Sequence, residues 1–112
     1  MTYQKIFEYL PPISIFHDKD LNINLSFRYN KINEEWPILF LHGFNGNSRS
    51  WAYQFNHFKD KRSILALDAP GFGKSDPVDL DMFKIAELVK KLLVNLNIKK
   101  CDLVGHSMGG ML

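Results

Sequence analysis

Cys101-Asp-Leu-Val-Gly-His-Ser-Met-Gly-Gly-Met-Leu112 decides how the chain is read. The short apolar stretch Cys101–Val104 predicts a β-strand, and it runs straight into Gly105-His106-Ser107-Met108-Gly109. Those five residues fit a sharp strand-to-helix reversal with a serine at its apex. A hydroxyl that is to attack a substrate must stand clear of the sheet, and such a reversal lifts it there on a strained backbone. The reversal brings the residues two before and two after the serine together, where a Cβ on either would clash. Gly105 and Gly109 meet that need, and Gly110 is expected to let the following helix lie close to the sheet. The first N–H groups of that helix, with its dipole behind them, can hold a developing negative charge. Ser107 is therefore the candidate nucleophile.

Working back from the serine, the hydrophobic pattern alternates between strand and helix. Ile13–His17 and Leu21–Tyr29 predict two strands around the turn-forming Asp18-Lys19-Asp20. Ile23, Leu25 and Phe27 alternate with Asn24, Ser26 and Arg28, as in a half-exposed hairpin. Pro37-Ile-Leu-Phe-Leu41 is an unbroken apolar run, typical of a strand covered on both faces. Asn45-Gly46-Asn47-Ser48 reads as a turn and cap before Trp51, Phe55 and Phe58 at helical spacing. Ser63–Leu67 predicts another buried strand, ending at Asp68. Asp79 or Asp81 then caps a helix whose apolar stripe is Ile85, Leu88, Val89, Leu92, Leu93 and Leu96, with Glu87 placed to pair with Lys90 and Lys91. A hairpin followed by strand, helix, strand, helix, strand implies an α/β fold with a mostly parallel sheet flanked by helices.

Composition narrows the functional classes. With 112 residues, 46% of them hydrophobic and 13% aromatic, the chain can form one packed core. A formal charge of +2 with scattered Lys and Arg gives no nucleic-acid footprint and no polybasic membrane patch. The start lacks the basic-then-apolar order of a signal peptide, and no stretch approaches the roughly 20 apolar residues of a membrane span. Cys101, the single cysteine, allows no internal disulfide and is expected to fill a buried strand position. A soluble, cytoplasmic protein is expected.

Three segments together resemble one family. Leu39-Phe-Leu-His-Gly-Phe44, Leu67-Asp-Ala-Pro-Gly-Phe-Gly-Lys-Ser-Asp76 and Gly105-His-Ser-Met-Gly-Gly110 are similar, in order and spacing, to the N-terminal signatures of the α/β-hydrolase fold superfamily, in its serine-nucleophile branch. The resemblance runs from about Ile13 to Leu112. It implies a partial α/β-hydrolase fold in which residues 1–112 are the N-terminal part of a single domain, with later strands, lid, triad acid and triad histidine absent.

What the resemblance implies for the site is specific. Ser107 would be the nucleophile, and the backbone N–H groups of Phe44 and Met108 would form the oxyanion hole. His42, Gly43, Gly105, His106 and Gly109 would support it. The ring of His42 is expected to shape its loop by a hydrogen bond, and His106 to be structural. Asp68 is expected to hold the loop Pro70–Gly73 through backbone N–H groups rather than to act as triad acid. Ser75 and Asp76 would do the same, Ser75 near the pocket rim. Phe44 and Phe72 either line the pocket or simply pack. The Gly71–Ser75 string lacks the upstream glycine of a phosphate loop, so nucleotide binding is not expected.

The implied function is hydrolysis of small carboxylic esters through an acyl-serine intermediate, with no metal and no organic cofactor. Serine disfavours the dehalogenase and epoxide-hydrolase branches, whose resemblance requires aspartate at this position. Acyl transfer, C–C bond hydrolysis and cofactor-free peroxidation use similar frameworks. The contrasting expectation is a catalytically inactive fragment or a noncatalytic hydrolase-like protein. Without a base the hydroxyl stays weakly nucleophilic, and the strand before the serine becomes an exposed edge.

Overall fold

The computed structural model describes residues 5–43, 46–77 and 81–111, with backbone only for Met108 and Met111. Strands β1 (Ser14–Asp18) and β2 (Ile23–Asn30) form the antiparallel hairpin. Its turn passes through Asn22 at φ +53°, a left-handed conformation that asparagine tolerates better than most residues. Then come β3 (Ile38–Leu41), α1 (Ala52–Phe58), β4 (Ile64–Leu67), α2 (Met82–Asn95) and β5 (Asp102–Gly105). The strand order is β1-β2-β4-β3-β5. β3 pairs parallel with both β4 and β5, while β2 pairs antiparallel with β1 and β4, so the sheet is mixed.

The unbroken apolar runs of β3 and β4 are explained by cover on both faces. All eight of their residues are buried. Leu39, Leu41, Leu65 and Leu67 pack with Leu88, Val89 and Leu92 of α2. Ile38, Phe40, Ile64 and Ala66 pack with Phe55 of α1 on the other side. The pleat sends alternate residues to the two layers, so no polar position remains between them. Asn47 caps the 3₁₀ turn Ser48–Trp51 that leads into α1, its Oδ1 accepting the Arg49 N–H at 2.8 Å. Asp81 caps α2 by accepting the Lys84 N–H at 2.9 Å. Asn45 and Asp79 lie outside the described residues.

Three expectations need correction. Ser26 is fully buried rather than on an exposed hairpin face, because the loop after β4 lies over it. Lys91 does not pair with Glu87; its ammonium reaches Asp18 at 3.1 Å and Asp20 at 3.2 Å, tying α2 to the hairpin turn. Cys101 precedes β5 and is half-buried rather than inside a buried strand. β5 itself is the outer strand, with Leu103 and Val104 exposed. Its start is pinned by Asp102, which accepts from Trp36 Nε1 at 2.9 Å and Arg62 Nη2 at 2.7 Å.

The Lys91 clip makes stability depend on pH. Burial pushes the Asp18 carboxyl up, but the Leu21 N–H and the Lys91 ammonium more than offset that and hold it below its ordinary value. A carboxyl lowered by folding contributes above its unfolded pKa of about 3.9 and loses that contribution as pH falls through the folded value. Thermal melts of the wild type and Asp18→Asn are therefore expected to differ at neutral pH and to converge below about pH 4.

Candidate active site

Ser107 opens the 3₁₀ turn Ser107–Met111 directly after β5, is exposed, and has φ +53°. A non-glycine residue in the left-handed region is strained. The surrounding contacts fix it there. His106 N–H donates to Leu41 O at 3.0 Å, extending the β3–β5 ladder by one step, and Gly109 N–H donates back to His106 O at 3.0 Å. A Cβ on Gly105 would lie 2.6 Å from Gly110 Cα. One on Gly109 would press on the Leu41 carbonyl, 2.6 Å from its carbon, and lie 2.8 Å from His42 O. Gly110 differs from expectation: a Cβ there would make only ordinary contacts at 3.6 and 3.7 Å, so its lack of a side chain is not what permits the close approach.

The loop after β3 meets this turn. A Cβ on Gly43 would lie 2.7 Å from His106 Nδ1 and 3.2 Å from Ser107 Cβ. The serine turn and the His42-Gly43 loop thus touch at the C-terminal ends of two adjacent parallel strands, where open α/β sheets place their ligand sites. Phe44, the expected oxyanion donor, lies outside the described residues. The Met108 amide is the second of the turn.

His42 is buried between loops. Its Nε2 accepts the Ala69 N–H at 2.9 Å, which puts the ring proton on Nδ1, and Nδ1–H donates to Gly43 O at 2.8 Å. Both ring nitrogens are occupied, so His42 shapes the loop and is unavailable as a base. Phe72 stands edge-on to it, with ring centroids 5.1 Å apart. His106 is exposed, and among the described residues no hydrogen bond reaches the Ser107 hydroxyl.

Beneath these loops, Asp68 is the hub. Its carboxylate accepts the Ser48 N–H at 2.6 Å and the Ser26 hydroxyl at 2.5 Å. Asp68 was expected to hold its own loop through backbone N–H groups. It instead ties together β2 and the segment after β3, and the loop closes through serines. Ser26 Oγ accepts the Lys74 N–H at 3.0 Å, and Ser75 Oγ donates to Asp68 O at 2.6 Å. Ser75 is buried in this network, not at a rim. Asp76 Oδ2 accepts the Asn24 N–H at 2.7 Å. Gly73, at φ +54°, lies so close to Asp68 that a Cβ would come within 2.6 Å of both carboxylate oxygens. Ser26 and Ser48 were missed from the sequence, since a serine on an alternating strand or at a helix start carries no mark of a distant partner.

Among the described residues no group of His, Cys, Asp or Glu is arranged to hold a metal ion, and no helix is long and apolar enough to cross a membrane. A family model described as alpha/beta hydrolase fold matches residues 37–112, from the residue before β3 through the serine turn. The chain belongs to the alpha/beta hydrolase fold family. It is 39% identical over 79 residues to epoxide hydrolase 4 of Homo sapiens, covering 67% of this chain and 22% of that protein. It is 40% identical over 78 residues to the dihydrolipoyllysine-residue acetyltransferase component of the acetoin cleaving system of Pseudomonas putida, covering 66% and 20%. The Cif epoxide hydrolase from Acinetobacter nosocomialis superposes with a TM-score of 0.78 at 18% identity, over 95% of this chain and 37% of that one, a likeness of fold alone. The chain thus spans about a fifth of the length of these two curated relatives.

Proposed function

We propose that Ser107 is the nucleophile of a serine hydrolase acting on carboxylic esters through an acyl-serine intermediate. Residues 1–112 form the N-terminal part of its single hydrolase domain. The observation that carries this reading is the exposed Ser107 at φ +53° between two glycines that admit no Cβ. Its hydroxyl adds to the ester carbonyl, the alcohol leaves, and water releases the acyl group. The amides of Phe44 and Met108 stabilise the tetrahedral oxyanion, each donor being worth on the order of 10²–10³ in rate. The step needs no metal and no organic cofactor. His42 cannot serve as the base, because both of its ring nitrogens are engaged.

The named relatives include epoxide hydrolases, but the hydroxyl at 107 suits acyl chemistry rather than the aspartate expected of that branch. Acyl transfer is the second reading, favoured by the 40% identity to an acetyltransferase component. It uses the same acyl-serine and differs only in releasing the acyl group to an acceptor other than water. A serine-directed fluorophosphonate tests the shared claim. It is expected to form one adduct, at Ser107, on a protein that carries this chain together with a base, and none on Ser107→Ala. Labelling of Ser107→Ala at the wild-type rate would refute the assignment.

A further inference from the structure

We propose that the cleft between Arg28, Arg49 and Lys74 binds a phosphate dianion, either free or as the terminal group of a phosphomonoester. The three cations line one cavity of about 150 Å³ together with Asn47, Ser48 and Asp68. None of these residues is among those that pack around Ser107, so the site is separate from the proposed active site.

The charges there are not balanced by the protein. Asp68 is the only carboxylate in the lining, and its oxygens are already taken by the Ser48 N–H and the Ser26 hydroxyl. Three cations against one carboxylate leave two positive charges on a small, partly buried surface, and among the described residues none of the three forms a salt bridge. Like charges gathered this way repel one another, and a dianion neutralises them. Burial pushes the ionisation of Arg28 down; the nearby Asp68 opposes that, and Arg49 offsets part of the opposition.

The geometry is prepared for an oxyanion. Arg28 is held by two bonds, Nε to Ser48 Oγ at 3.1 Å and Nη1 to Pro11 O at 2.7 Å, which fix the plane of its guanidinium. Its Nη2 donors remain for a ligand, in the planar fork that suits phosphate. Arg49 is steadied by lying 4.0 Å over the Phe7 ring. The cavity is well below the roughly 300 Å³ at which drug-sized ligand pockets begin, so it suits a single tetrahedral anion or the end of a longer molecule. An adjoining cleft lined by Phe7, Asn47, Arg49 and Ser50 leaves room for the organic part of an ester.

Amide chemical shifts of the ¹⁵N-labelled chain test the proposal at about pH 7.5, where the phosphoryl group is largely a dianion, with ionic strength fixed by sodium chloride. Inorganic phosphate and glycerol phosphate are the two probes. Saturable shifts at Ser48, Arg49 and Lys74 are expected, with Kd in the range of about 1–10 mM for a few partly exposed charge contacts. Lys74→Gln and Arg49→Gln, each checked for an otherwise unchanged spectrum, are expected to weaken binding about fivefold or more. Binding of inorganic phosphate alone assigns the site to the free anion; equal or tighter binding of glycerol phosphate assigns it to a terminal phosphoryl group. No saturation with either probe up to about 50 mM, or the same affinity in both variants, overturns the proposal.

Discussion

A protein that carries this chain and hydrolyses esters is expected to lose on the order of 10⁶-fold in kcat when Ser107 becomes alanine. Removing the nucleophile deletes the covalent path altogether, and what remains is catalysis by binding and by the oxyanion donors, about 10³–10⁴ over water. Because alanine differs from serine only by the hydroxyl, the turn and its glycine contacts are unaffected. KM is therefore expected to change little while kcat collapses. Steady-state kinetics on a p-nitrophenyl ester measures both. A fall of less than about tenfold would mean that another group attacks the ester.

Gly109→Ala is expected to destabilise the chain by about 3 kcal/mol or more, whereas Gly110→Ala is expected to stay within about 0.5 kcal/mol. The two glycines are adjacent, and by pattern alone each is expected to permit a close approach. In the structure the Gly109 Cβ would fall against the Leu41 carbonyl and within 2.8 Å of His42 O, all backbone atoms that cannot swing away. Relief requires the serine turn to lift off β3, breaking the His106 N–H bond to Leu41 O and freeing the last pair of the β3–β5 ladder. At Gly110 the nearest atoms are 3.6 Å away, an ordinary contact. Urea denaturation of both variants measures the contrast, and equal stabilities would contradict the tight contact between the serine turn and β3.

The features legible in the sequence are those written in local patterns. Apolar runs of four or five residues announced β3 and β4, because a strand covered on both faces has no polar position to interrupt it. Gly105 and Gly109 announced the reversal at Ser107, because only a residue without a Cβ fits there. Long-range partnerships were not legible. Glu87 and Lys91 are four apart on one helix, so local spacing suggested a pair, yet Lys91 turns to carboxylates more than 70 positions away in sequence. Ser26 occupies a polar slot in an alternating strand and reads as solvent-facing, although the Asp68 carboxylate and the Ser75 hydroxyl bury it completely. Asp68 was recognised as structural, but its partners lie 20 and 42 residues away, beyond any local rule.

The central claim, that the fold forces Ser107 into a strained outward pose, is tested most directly by the stability of Ser107→Gly in the chain itself. Glycine adopts a positive φ without penalty, so the substitution is expected to raise the unfolding free energy by about 0.5–1 kcal/mol despite glycine's greater entropy in the unfolded state. If Ser107→Gly instead lowers stability by about 1 kcal/mol, as it does at a relaxed helical position, the strained turn is contradicted.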